Sequence, residues 1–501
     1  MRTAYTADQI RSAEHALMAR LPEGTLMQRA ATALAVVCAR ALGRVYGSRV
    51  TLLIGSGDNG GDALYAGARL ARRGARVEAI LAGSRAHQGG LAALRAAGGR
   101  VIEHAGHAEH AGRAVAAADL IVDGLVGIGA AGALREPYAG LTELANGADA
   151  TVVAVDVPSG VDASTGRVEG AAVRAHLTVT FGACKTGLLI DPGASHVGTL
   201  EVIDIGIGPH LPDPDVTALT AADVAARLPR PGPESDKYRR GVVGVVAGSA
   251  RYTGAAVLAV GGAVRGGAGM VRFASAREPV ELVRARWPEA VTTILDTTIL
   301  EGDGDARAGV ESMGRVQAWV LGPGMGTDDR AHALAEAVLD TGLPTVLDAD
   351  GLTLLAADRS LLRPNLLITP HAGELSRLIG VPRERIEASR LEHVRLAAAD
   401  LGVTVLLKGS TTLVAETGRP VRVNGTGTPW LATGGTGDVL SGLAGALLAG
   451  GLTCYEAGSC AAYLHGLAAR VAGMTPISAQ DLPDALPEAR RALDSPAKME
   501  E

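Results

Sequence analysis

Residues 433–440 read Thr-Gly-Gly-Thr-Gly-Asp-Val-Leu and run into a helix-like stretch. Small residues let the backbone approach a phosphate closely. A helix start then offers free N–H groups and the positive end of its dipole. Asp438 is a carboxylate placed where it can move a proton beside a transferring phosphoryl group. Taken alone, a Gly-rich turn capped by Asp would read the same way. Its neighbours in the second half sharpen the phosphoryl reading. Lys408, Gly409, Ser410, Thr411 and Thr412 offer an ammonium, hydroxyls and amides for phosphate oxygens. Thr369-Pro370-His371-Ala372-Gly373-Glu374 follows an apolar run; Glu374 can orient a metal-bound water and His371 can contact a substrate. There is no GxxxxGK[ST] pattern, which excludes a P-loop enzyme.

The first half carries different chemistry. Gly55-Ser56-Gly57-Asp58-Asn59-Gly60-Gly61-Asp62 formally contains GxGxxG, the dinucleotide fingerprint. That fingerprint also wants an acid closing the next strand, where the chain reads Ala82-Gly83-Ser84, so an ordinary NAD dehydrogenase is disfavoured. The Asp-Asn-Gly-Gly-Asp run is instead rich in oxygen ligands on a tight turn. Asp123 opens a Gly-rich loop, Asp156-Val157-Pro158-Ser159 puts an acid before a Pro turn, and Thr180–Gly187 adds Lys185. Each falls at a strand end, where open α/β sheets bind ligands.

The elements that must position these residues are legible as apolar runs. Strands are expected at 49–54, 76–81, 120–123, 151–156, 177–181 and 200–204, then at 242–247, 318–321, 344–348, 366–369 and 403–407. Two amphipathic helices fill 7–43, split at Leu21-Pro22-Glu23-Gly24, and another helix is expected over about 61–73. An edge strand is expected within 281–305. Buried strands interleaved with helices imply an α/β fold with mostly parallel sheets covered on both faces. A length of 501 residues implies two domains, and the proline-rich stretch 206–240 reads as their linker, with a short helix over Thr220–Arg227.

Composition narrows the function class. Hydrophobic residues make up 47% and charged residues 20%, which fits a globular chain. A net charge of −6 gives no electrostatic case for nucleic acid or anionic membranes, and with 3% aromatic residues base-stacking platforms are not expected. No apolar run of about 18 residues suggests a membrane span. The 4 cysteines are scattered, with no CxxC pair, which suits a reducing cytoplasm.

The motifs GxGxNGGD, DGLxGxG, DVPSGVDAxTG and TFGACKxGL, in that order over about residues 1–215, resemble the epimerase domain of the NAD(P)H-hydrate repair enzymes. The resemblance implies a Rossmann-like αβα sandwich that interconverts the R and S forms of hydrated NADH and NADPH (NADHX and NADPHX). Asn59, Asp123 and Ser159 would hold a potassium ion, and Asp156 would be the acid/base group. Asp58, Asn59, Gly60, Gly61 and Asp62, with Gly127, Ile128, Gly129, Ala130, Ala131, Gly132 and Ala133, would line the hydrate site. The family usually reads Asn-Asn-Gly-Gly-Asp-Gly; here Asp58 and Ala63 replace the first Asn and the last Gly. Asp58 thus adds a charge beside the expected cation.

KYxRG, AGSxxYTGAA, LGPGMG, TPHAGE, LKGSTT and TGGTGDVLSG, over about 220–490, resemble the dehydratase domain of the same family, a ribokinase-like αβα domain. The implied division is 1–215 for epimerisation and 216–501 for dehydration of the S form. Asp438 would be the base. Ala255, Gly324 and His371, with Asp438, would contact the hydrate, and Lys408–Thr412 and Gly437 the nucleotide. The resemblance implies ADP as co-substrate, giving AMP and phosphate, with Mg2+ at this site. A homo-oligomer is expected, with no nucleic acid or membrane partner. The rival reading is a ribokinase-like sugar or vitamin kinase with a fused Rossmann-like domain.

Overall fold

The computed structural model describes residues 1–295 and 306–494. The chain forms two compact units, Thr3–Val216 and Thr217–Glu501, the latter including Met1–Arg2.

The first unit is built on a 7-stranded parallel sheet. Its order is Arg100–Glu103, Arg76–Leu81, Arg49–Ile54, Leu120–Gly124, Thr151–Val155, Leu177–Phe181 and Thr199–Ile203. Successive side chains of a strand point to opposite faces, and both faces are apolar here. Leu52 and Ile54 join Leu34 of helix Thr25–Leu42 and Leu64 of helix Asp58–Arg72 in one core. Leu53 joins Val115 of helix Ala108–Ala116 and Leu141 of helix Tyr138–Asn146 in the other. This is why the strands read as continuous apolar runs.

The sheet winds outward from Arg49–Ile54 in both directions, so its order reverses between that strand and Leu120–Gly124. A crevice opens at such a switch point. The two strand ends come so close that a Cβ on Gly55 would lie 1.7 Å from the Leu125 carbonyl oxygen. Only glycine fits at position 55.

The second unit repeats the winding. Its parallel strands run Val291–Ile294, Met270–Ser275, Val242–Val246, Ala318–Leu321, Thr345–Leu347, Leu366–Ile368 and Thr404–Leu407. The antiparallel strands Thr412–Ala415 and Val421–Asn424 follow. The switch point lies between Val242–Val246 and Ala318–Leu321. Helices Thr253–Arg265 and Thr436–Ala449 pack on one face with almost no space between backbones. A Cβ on Gly442 would sit 1.9 Å from the Ala259 carbonyl oxygen, and one on Gly262 2.2 Å from that of Val439. Gly442→Ala therefore forces these helices apart and is expected to destabilise this unit by at least ~1–3 kcal/mol. A thermal melt should show a fall of several degrees, with dehydration reduced because the second helix carries Asp438.

Several elements depart from the sequence expectation. The helix expected from about residue 61 begins at Asp58, so Asp58, Asn59 and Asp62 lie on its first turns and not on a tight turn. Met270–Ser275 is a strand although Arg272 interrupts its apolar run; the guanidinium escapes by donating to the Met313 carbonyl oxygen. Thr412 begins a strand, paired with Asn424. Of the 281–305 stretch, Val291–Ile294 is an edge strand, and 296–305 lie outside the described residues. The short helix Ala221–Arg227 starts at a capping box formed by Thr220 and Asp223. Among the described residues no helix is long and apolar enough to cross a membrane. All four cysteines are buried and none forms a disulfide.

Candidate active sites

The first unit holds a cavity of about 950 Å³ at its switch point. Helix Asp58–Arg72 enters it, and Asp62, four residues after Asp58 and three after Asn59, neighbours both on the helix surface. Gly127, Ile128, Gly129 and Ala130 form another wall, pinned where Arg11 Nη2 donates to the Ile128 carbonyl oxygen at 3.0 Å. Ala131 and Gly132 line a smaller adjoining recess. A Cβ added to Gly170 would lie 3.3 Å from the Ala133 Cβ, which places the end of that loop against Gly170. Gly60 and Gly61 are buried and serve packing: a Cβ on Gly60 would meet the Gly55 carbonyl oxygen at 2.5 Å, and one on Gly61 would meet Met27 at 3.0 Å.

Asn59, Asp123 and Ser159 come together behind this wall. Ser159 donates its amide to Asp123 Oδ2 at 2.8 Å and its hydroxyl to Oδ1 at 2.6 Å. Asn59 Nδ2 donates to the carbonyl oxygens of Val155 at 2.5 Å and Val126 at 3.2 Å. Asp123 is fully buried, and burial lifts its carboxyl to about 6 against the downward pull of bonds from Ser159 and Leu125. A buried carboxylate among neutral oxygen groups fits a monovalent cation.

Asp156 ends strand Thr151–Val155 with φ +68, a left-handed conformation rare outside glycine and tolerated by Asp. Such strain gathers at functional positions. Its Oδ1 accepts from Lys185 Nζ, from the Phe181 amide at 3.0 Å and from Thr180 Oγ1 at 3.1 Å. Lys185 is fully buried and also donates to the Phe181 carbonyl oxygen at 2.7 Å. The three bonds to Asp156 all go to Oδ1, and Asp156 lines the cavity. Glu14, on helix Ala7–Met18, faces the same cavity with its pKa raised by burial, then by Asp156 and Asp58, while Lys185 opposes. Sequence reasoning noted Lys185 without a role and passed over Glu14, which nothing in its local sequence singles out.

The second unit gathers its residues around the start of helix Thr436–Ala449. Gly435 is the N-cap with φ +92, a position that needs glycine. The Thr436 hydroxyl donates to the carbonyl oxygens of Leu431 at 2.9 Å and Thr433 at 3.1 Å, folding the loop under the helix. Buried His465 places Nε2 2.9 Å from the Thr436 carbonyl oxygen, and burial lowers its pKa to about 4, so it is neutral. Lys408 Nζ lies 2.8 Å from Asp348 Oδ1 and 3.8 Å from Glu374 Oε2. A Cβ on Gly437 would stand 3.4 Å from Lys408 Nζ and 3.7 Å from Asp348 Oδ2, so the helix start and the lysine meet. Burial opposes the Lys408 charge, but Asp348 and then Glu374 outweigh it and raise its pKa.

Asp438 is raised to about 7, first by burial, then by the charge of Asp348, with Lys408 opposing. It is therefore poised between proton donor and acceptor near neutrality. Among the described residues nothing hydrogen-bonds its carboxylate. Ala255 and Gly324 adjoin each other: a Cβ on Gly324 would lie 2.9 Å from that of Ala255. His371 caps helix Ala372–Ile379, its Nδ1 accepting from the amides of Gly373 and Glu374, while Glu374 accepts from the His371 amide. The His371 side chain remains more than half exposed, at 56%. Arg390 Nη2 donates to the carbonyl oxygens of Leu407, Lys408 and Thr411, and a Cβ on Gly409 would sit 2.2 Å from that atom. This guanidinium shapes the 408–411 turn, where Ser410 is exposed and Thr411 buried.

Asp348 is the residue that sequence reasoning missed here. It is fully buried between Lys408 and the Ser441 hydroxyl, which donates to Oδ2 at 2.7 Å. The signal was present, an acid closing a buried strand, as at Asp123. Among the described residues no three His, Cys, Asp or Glu side chains converge as a ready metal cage. Mg2+ ordinarily binds through one or two carboxylates together with substrate phosphates. Asp348, Asp350 and Glu374, all acting on Asp438 or Lys408, fit that pattern.

Residues 23–187 match the family described as YjeF-related protein N-terminus, and residues 243–489 match NAD(P)H-hydrate dehydratase. A bifunctional NAD(P)H-hydrate repair enzyme of Mycobacterium leprae is 45% identical over 484 residues, covering 95% of each chain. One of Mycobacterium tuberculosis is 46% identical over 467 residues, covering 91% of each. Among solved structures, the ADP/ATP-dependent NAD(P)H-hydrate dehydratase from Bacillus subtilis, co-crystallised with ATP and Mg2+, is 30% identical. It aligns with a TM-score of 0.50 over 56% of this chain and 99% of its own.

Proposed function

We propose a division of labour between two sites for this chain, which belongs to the family of bifunctional NAD(P)H-hydrate repair enzymes. It is an NAD(P)H-hydrate epimerase and an NAD(P)H-hydrate dehydratase that uses a nucleotide and Mg2+. The unit Thr3–Val216 epimerises the hydrate, and Thr217–Glu501 dehydrates the S form. The observation that carries the second assignment is the place of Asp438, a half-buried carboxyl in the first turn of a glycine-capped helix whose start meets the Lys408 ammonium.

Hydroxide is a poor leaving group, and phosphorylation makes it a good one. Asp438 takes the proton of the substrate hydroxyl as its oxygen bonds to the terminal phosphorus of the nucleotide. The amides of Gly435–Gly437 and Lys408 receive the developing charge. The C–O bond then breaks with phosphate as leaving group, driven by the ring nitrogen lone pair, and loss of a ring proton restores NADH or NADPH. With ADP as donor the other product is AMP. Carboxylates among Asp348, Asp350 and Glu374 would hold Mg2+, which would supply positive charge to the phosphates. Ala255, Gly324 and the free edge of His371 contact the hydrate; Lys408–Thr412 and Gly437 contact the nucleotide. Four buried thiols outside any disulfide suit a cytoplasmic setting.

The test is absorbance recovery at the reduced-nicotinamide band with mixed R and S NADH hydrate, Mg2+ and K+, run in parallel with ADP and with ATP. Full recovery of both epimers with ADP is the expected trace. Recovery that stops at the S fraction would remove the epimerase assignment, and stable phosphorylated organic product would mean a kinase. Potassium has its own readout. Exchange of K+ for Li+ is expected to slow R-to-S conversion several-fold and to lower the melting temperature of the first unit, because a cation bound only by the folded Asn59–Asp123–Ser159 group stabilises it.

A further inference from the structure

Epimerisation at the hydroxylated carbon needs a proton delivered and a proton removed, and Asp156 supplies only one group. Asp62 projects from helix Asp58–Arg72 into the same cavity. It is 6% exposed, and its Oδ1 is enclosed with no hydrogen-bond partner. An ionised carboxylate with one oxygen so enclosed and no donor to it is costly. Its charged neighbours add to the cost. Burial raises its pKa well above the usual range, and Asp156, Asp58 and Glu14 push it further up, against Lys185. Asp156 stands in the opposite environment, with an ammonium, an amide and a hydroxyl on one oxygen. Two carboxyls of one cavity with environments that differ in this way mark an acid and a base.

We propose that Asp62 is the proton donor of the epimerase site, acting as a catalytic residue with Asp156 as its complementary base. This rests on the epimerase reading of the first unit. Asp62 gives its proton to the substrate hydroxyl. The C–O bond breaks, its electron pair leaves with the oxygen as water, and the ring nitrogen lone pair forms a C=N bond. Water then adds to the other face of that carbon, the C=N electrons return to nitrogen, and Asp156 takes the proton of the adding water. The net change is inversion at carbon with one proton moved from Asp62 to Asp156. Cavity water returns the proton, and the reverse direction uses the two groups in exchanged roles.

The experiment uses the full chain with purified R hydrate of NADH and no nucleotide. Asp62→Asn preserves shape and adds no charge, so a purely structural role would tolerate it. The expected result is a fall in kcat for R-to-S conversion of roughly 10²–10⁴-fold, the usual worth of a general acid, with KM and melting temperature nearly unchanged. A D62N chain converting R to S at the wild-type kcat would overturn the assignment while leaving the epimerase reading intact. A wild-type chain that does not interconvert the epimers would overturn the reading itself, and the assignment with it. Should D62N fail to fold, the wild type in ¹⁸O-labelled water decides. Solvent oxygen in the S product supports donation to a departing hydroxyl, and retention of the original oxygen overturns it.

Discussion

An Asp438→Asn chain is expected to lose roughly 10²–10⁴-fold in dehydration of the S hydrate, while R-to-S conversion is unchanged. Asparagine keeps the size and lacks the proton affinity, so the effect isolates base catalysis from shape. The wild-type pH profile should carry the same signature. The carboxyl titrates at about 7, and it must be deprotonated to act as a base. Dehydration measured as kcat/KM should therefore fall tenfold per pH unit on the acid side of about 7 and level off above it, since this ratio reports the free enzyme. Lys408, whose pKa is raised by Asp348 and Glu374, stays charged throughout and adds no acid limb. D438N should lose that limb along with its rate. Near-wild-type dehydration by D438N, or a flat profile in the wild type between pH 5 and pH 8, would remove Asp438 from the base role. ADP or ATP binding by D438N should persist, because the glycine-capped helix start and Lys408 remain.

What could be read in the sequence was local, and what could not was the pairing of distant residues. Arg49–Ile54 or Ala318–Leu321 announce themselves because a strand buried on both faces must be apolar throughout. Met270–Ser275 does not, because Arg272 breaks the run and its guanidinium donates to the Met313 carbonyl oxygen, 41 residues away. Gly60 and Gly61 suggested a turn, since glycine usually signals conformational freedom. Here they are helical and small because the Gly55 carbonyl and Met27 press on them. The chemistry shows the same divide. Asp156, Asp123 and Asp438 were visible as acids at strand ends or a helix start. Their environments were not, since Lys185 is 29 residues from Asp156, and Lys408 and Ser441 are 60 and 93 residues from Asp348. The raised pKa values of Asp62 and Asp438 depend on contacts of that kind.

Asp156→Asn should abolish most R-to-S conversion, again by roughly 10²–10⁴-fold, with S-hydrate consumption by the second unit retained. This substitution carries a structural cost that D438N does not. Lys185 is fully buried, and Asp156 is its ion-pair partner. Removing one member of a buried pair leaves an uncompensated charge and typically costs about 3–5 kcal/mol. The first unit of D156N should therefore melt at a markedly lower temperature, and loss of activity alone would not separate catalysis from unfolding. The double variant Asp156→Asn with Lys185→Met separates them. It removes both charges and keeps an unbranched chain of similar length in the buried slot, so stability should recover most of the loss. Epimerisation should not recover, because no proton acceptor remains at the end of strand Thr151–Val155. A double variant that regains both stability and epimerisation would show that Asp156 serves to neutralise Lys185 and that the proton goes elsewhere. Stability without epimerisation assigns the reaction to the Asp156 carboxylate.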